Sequence, residues 1–119
     1  MIRAVAGREM DAAVAEHVMG WRYHPPSADT EGIAWWEVPE GDPTRDGFGS
    51  ADWPPRYSTD IADAWLVVER MGTEVKLRRV SDHMYYVRFG AHTGAVPGAD
   101  TAPLAICIAA LKTKGVNVE

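Results

Sequence analysis

The stretch Trp53–Gly72, WPPRYSTDIADAWLVVERMG, sets the reading of the fold. Pro54 and Pro55 hold the backbone extended, because each fixes φ and removes an amide donor. Ser58 or Thr59 then offers a side-chain oxygen to the free amides of a helix, with Asp60 in the first turn, where the helix dipole favours negative charge. Ile61, Trp65, Val68 and Met71 recur at helical spacing and are expected to form the buried stripe, and Gly72 suits the C-terminal cap.

On the N-terminal side, AGREMDAAVAEHVMGW reads as a first helix ending at Gly20. Met10, Val14, His17 and Val18 share one stripe, opposite Arg8, Asp11 and Glu16. Trp21–His24 forms a short strand before the Pro25-Pro26 loop, and Ile33–Val38 a strand with Trp35 and Trp36 on opposite faces. From Pro39 to Pro55 no hydrophobic period is visible, so residues 39–55 are expected to be a mobile loop. Its acids Glu40, Asp42, Asp46 and Asp52 lack the spacing and closing glutamate of a calcium loop and read as solvated.

On the C-terminal side, TEVKLRRV and HMYYVRFG alternate and are joined by Ser81-Asp82, which predicts a hairpin. Arg78, Arg79 and Arg88 come from its two strands and form a basic patch, either a solvated sheet face or an anion site. After the loop at 91–100, TAPLAICIAALKTKG reads as a third helix. Asp100 or Thr101 caps it, Pro103 sits in the first turn, and Lys112 and Lys114 suit the last. Leu104, Cys107 or Ile108, and Leu111 give the buried stripe, with Cys107 a small core residue rather than a nucleophile.

The 119 residues, 46% of them hydrophobic, fit one domain over residues 1–119. The net charge of −5 argues against general nucleic-acid binding through phosphates. The charge is uneven: residues 1–60 hold five Arg against eleven acids, a balance of −6, whereas residues 61–119 hold seven bases against six acids, a balance of +1. One cysteine excludes an intrachain disulfide framework, and no apolar run is long enough for a membrane span, so a soluble protein of a reducing cytosol is expected. No Gly-rich phosphate loop, HExxH, CxxC or GxSxG occurs, and His17, His24, His83 and His92 lack ligand spacing. An enzyme, a cofactor and a metal site are therefore not expected.

Three fragments, AAVAEHVMGW at 12–21, PRYSTDIADAWLVVERM at 55–71 and TAPLAICIAALK at 101–112, resemble the small bacteriophage and prophage proteins of the phage ABA sandwich domain family. They cover about a third of the chain, and Ser58–Ile61 with Ala64-Trp65 is the most distinctive part. The resemblance implies an α+β fold, a layered α-β-α sandwich with an antiparallel sheet and three main helices. It implies a phage origin and hence the cytoplasm of a bacterial host, and it brings no assigned activity or site.

Five tryptophans without a catalytic motif point to a binder. Trp35, Trp36, Trp53, Tyr57 and Tyr86 offer stacking faces, Arg56, Arg78, Arg79 and Arg88 offer forks for phosphate, and helix N-termini offer amides. The expected ligand is a cyclic nucleotide or another nucleotide-derived small molecule, a host immune signal that a phage protein would sequester. The alternative is a protein–protein interaction factor, because the same residue types dominate interface hot spots. Homo-oligomerisation is expected under either reading, as a way to cover the aromatic surface.

Overall fold

The computed structural model describes residues 2–42, 47–51, 53–90 and 98–119. The elements run α1 (Arg8–His17), β1 (Arg22–His24), a 3-10 turn at Ala28–Thr30, β2 (Trp35–Asp42), β3 (Gly47–Ala51), α2 (Ile61–Met71), β4 (Val75–Ser81), β5 (Met84–Phe89) and α3 (Ala102–Thr113). This is an α+β fold with three helices. Its strands form two antiparallel sheets, β1-β2-β3 and β4-β5, rather than one.

The fold is organised around α3, although α2 carries the clearer signals in sequence. All eight residues from Leu104 to Leu111 are buried, as expected of a helix that is apolar all round, and α1, α2 and β5 pack on it. Thr101 caps α3 by accepting from the Leu104 amide, with Pro103 in the first turn. Val87 and Phe89 of β5, Met10 and Val14 of α1, and Val67 of α2 complete the same core. The chain ends meet beside it, where Ile2 and Val118 form a parallel bridge and the Glu119 amide donates to Ile2 O at 2.8 Å.

The buried face of α2 differs from the expected stripe. Ala64, Val67 and Val68 are buried, whereas Ile61 is 53% and Trp65 47% exposed. Both stripes are regular on a helix reading IADAWLVVERM, and packing selects the one with the small Ala64 at its centre. The N-cap is Asp60, whose Oδ1 accepts from the amides of Ala62 at 2.8 Å and Asp63 at 3.2 Å. Ser58 is instead fully buried. Asp60→Ala is therefore expected to lower stability by about 1 kcal/mol, and Thr59→Ala to change it by only a few tenths, in urea unfolding. Gly72 closes the helix at φ 65°, and Gly20 follows α1 at φ 80°, in the left-handed region that glycine adopts without strain.

The loop expected at 39–55 is corrected in part. Strand β2 continues through Pro39 to Asp42 and pairs with β3, while residues 43–46 and 52, which include Asp46 and Asp52, lie outside the described residues. Val38 pairs with Gly49 and Asp42 with Gly47, so residues 39–41 stand opposite a single residue of β3. Pro39 cannot donate to the ladder, and such a bulge accommodates it. Asp42 is buried rather than solvated, and its Oδ2 accepts from Trp21 Nε1 at 2.6 Å. Most of the loop at 91–100, with His92, also lies outside the described residues; at its end Ala99 bridges to Tyr85.

Candidate functional site

The residues expected to bind separate into four places. Trp36 is in the core, packed near Trp21 and Tyr23 with centroids 6.4 and 5.1 Å away, and offers no face to a ligand. Tyr57 is also fully buried. Trp35, paired across the strands with His24, is stacked on that ring at 4.1 Å, and His24 Nε2 lies 2.9 Å from Glu37 Oε1.

The hairpin divides its three arginines. Arg78 pairs with Tyr86 and Lys76 with Arg88, which puts these four on one face, with Arg78 and Arg88 lacking an ion-pair partner among the described residues. Arg79 is tied instead to Asp82 in the turn. The Tyr86 ring lies close to Gly98, where an added Cβ would meet Cε1 at 3.0 Å. The face is open to solvent, with every residue of β4 from Lys76 to Ser81 exposed.

Trp53 and Arg56 come together in a groove of about 410 Å³, shared with Gly7, Arg8, Asp11, Pro54 and Thr59. The Pro54-Pro55 pair holds Trp53 extended from the turn that precedes α2, and the Arg56 amide is held by Asp63 Oδ2 at 3.0 Å. Across the groove lies the start of α1. Arg8 Cζ stands 5.0 Å from the Trp53 ring centroid, a cation–π contact that orders both side chains. No side chain caps α1, whose N-cap is Gly7, so the positive end of its dipole faces the groove.

The two walls are joined by a buried polar junction that sequence patterning missed. Asp11, read as solvent-facing, is 3% exposed; its Oδ1 accepts from the Ser58 amide at 2.8 Å and from Ser58 Oγ at 2.7 Å. The Gly7 amide in turn donates to Ser58 Oγ at 2.9 Å. The available signal was slight: Ser58 is one of three adjacent residues able to cap α2, and once Asp60 takes that role Ser58 is left to bond elsewhere. Arg8 carried no signal at all.

Burial pushes the Asp11 carboxyl above its ordinary value, and Asp63 adds to this, while the two Ser58 bonds and the Arg56 charge pull the other way. A raised native pKa means that the folded state holds the proton longer than the unfolded one. Asp11 thus favours the folded state most in acid and loses that contribution as pH rises from about 3.8 through the raised value. Compared with Asp11→Asn by urea unfolding across this range, the wild type is expected to lose stability with rising pH, and the difference to level off above it. Cys107 is fully buried and its thiol is pushed well above the ordinary range, which leaves it a neutral core group.

Two other depressions lack this chemistry. One of about 280 Å³ is lined by Glu40, Asp42 and Glu69 beside Arg70, an acidic setting for an anion. Another of about 430 Å³ is lined by Val5, Leu104, Ile108 and small residues, with Asp100 as its charged group. Among the described residues, no group of three or more His, Cys, Asp or Glu side chains could hold a metal ion, and no helix is long and apolar enough to cross a membrane.

Three helices packed with two small antiparallel sheets make an α+β fold in which the start of α1 and the approach to α2 border a groove. The chain belongs to the phage ABA sandwich domain family, whose pattern it matches over residues 12–111. It is similar to a phage protein from Bacillus cereus ATCC 14579 seen in a 2.0 Å crystal structure, with 26% identity over 90% of both chains and a TM-score of 0.62. No curated protein matches the chain.

Proposed function

We propose that this phage protein binds a small anionic, nucleotide-like molecule in the groove formed by Arg8, Trp53 and Arg56. The observation that carries the reading is the convergence of one exposed aromatic ring, two guanidinium groups and an uncapped helix N-terminus in one concavity. A base stacks on Trp53, and phosphate oxygens take the arginine forks and the first amides of α1. In the cytoplasm of an infected host the protein sequesters a nucleotide-derived immune signal stoichiometrically, without turning it over. The phage family supports this role, since lowering the free signal would blunt the host response.

A thermal-shift panel of cyclic di- and trinucleotides, cyclic ADP-ribose isomers and mononucleotides tests the proposal. A ligand at 100 times its Kd stabilises the folded state by about 2.7 kcal/mol, and Trp53→Ala and Arg56→Ala are each expected to abolish the shift. A shift lost only in Arg78→Ala or Arg88→Ala would move the site to the hairpin face. No shift with any nucleotide would end the proposal.

A second reading, a protein–protein interaction factor, draws on the exposure of Ile61 and Trp65 side by side on α2. A homo-oligomer covering this face is compatible with the first reading as well, and sedimentation of the wild type and Trp65→Ala distinguishes self-association from a foreign partner.

A further inference from the structure

On the reading just proposed, we infer that Asp11 is a specificity-determining residue that accepts a hydrogen bond from a ribose hydroxyl of the captured nucleotide. Oδ1 is pinned by both the amide and the hydroxyl of Ser58, so the carboxylate cannot turn freely. Oδ2 has no hydrogen-bond partner among the described residues, and Asp11 lines the groove although only 3% of its surface is exposed. An acceptor at the groove wall that is covered by a ligand without a donor loses its water and gains nothing in return. A ligand that covers the groove must therefore bring a donor to Oδ2.

The surrounding charges narrow that donor. Arg8 and Arg56 call for an anionic group on the ligand, yet an anion placed against Asp11 itself meets a like charge. The molecule has to present its phosphate to the arginines and an uncharged donor to Asp11. A nucleotide does this when its base stacks on Trp53 and its sugar lies between base and phosphate. Carboxylates read ribose hydroxyls in the same way in dinucleotide-binding folds, where the geometry also places an acid beside a phosphate-binding helix end. Inorganic phosphate fits only the arginine half of this arrangement and leaves Oδ2 covered without a donor.

Isothermal titration of the full chain with AMP, 2′,3′-dideoxy-AMP and inorganic phosphate tests the inference. The wild type is expected to bind AMP about tenfold or more tightly than the dideoxy analogue, and phosphate more weakly still. Asp11→Asn retains an oxygen for Ser58 and turns a donor toward the groove, so the preference for AMP over the analogue is expected to vanish. Equal wild-type affinity for AMP and its analogue would overturn the role of Asp11 while leaving groove binding intact, and this comparison needs no variant. A preference that persists in Asp11→Asn would overturn it too. If neither AMP nor its analogue binds while a cyclic nucleotide of the thermal-shift panel does, this inference falls and the proposed function stands; if no nucleotide binds at all, both fall.

Discussion

Ile106→Ala is expected to destabilise the protein by about 2–5 kcal/mol, and Trp65→Ala, which deletes far more atoms, by about 1 kcal/mol or less. Ile106 is fully buried on α3, where truncation removes transfer free energy and leaves a cavity that packed neighbours fill only in part. Trp65 keeps nearly half its surface in water, so its removal opens no enclosed void. Urea unfolding at constant m-value compares the two directly. Equal losses would mean that the core depends on the exposed face of α2 as much as on α3. Against a total stability of about 5–15 kcal/mol, that loss is a large fraction of the whole.

Trp21→Phe and Trp36→Phe make the same chemical change and should differ sharply. Trp21 Nε1 donates to Asp42 in a buried setting, so losing it weakens the solvation of an enclosed carboxylate at a cost of about 1–3 kcal/mol. Trp36 Nε1 is buried with no partner among the described residues. Removing that N–H relieves an unmet desolvation cost and offsets part of the lost ring volume, so the change should stay within about 1 kcal/mol. Thermal denaturation of both variants checks the contrast. A larger loss for Trp36→Phe would show that its indole nitrogen is in fact engaged.

The helices and the β4–β5 hairpin were legible because their signals are local: a cap, a period and a closing glycine at Gly72, or two alternating runs around a turn. The face that α2 buries was not, because Ile61-Trp65-Val68 and Ala64-Val67-Val68 are equally regular and only the neighbouring helix distinguishes them. Strand β3 carries two glycines in five residues and no alternation, so its pairing with β2 is a tertiary fact rather than a local one. Asp11 shows the same limit in a single side chain. Polar residues are assigned to the solvent by default, and the serine that makes its burial tolerable lies 47 residues away.

Half of the candidate groove was visible in sequence and half was not. Trp53 and Arg56 flank Pro54-Pro55, so their proximity follows from chain geometry. Arg8 reaches them only because the Gly7–Ser58–Asp11 junction brings the start of α1 to the approach to α2. The expected basic patch was divided by the same kind of detail, since the turn residue Asp82 withdraws Arg79 from Arg78 and Arg88.

The central position of α3 also dictates when the protein can assume its shape. Synthesis proceeds from the N-terminus, so α1, both sheets and α2 leave the ribosome before the helix on which α1, α2 and β5 pack. Until Leu104–Leu111 emerge, Met10, Val14, Val67, Val87 and Phe89 have no surface to cover them. The nascent chain is therefore expected to acquire its tertiary order only once this late segment has emerged.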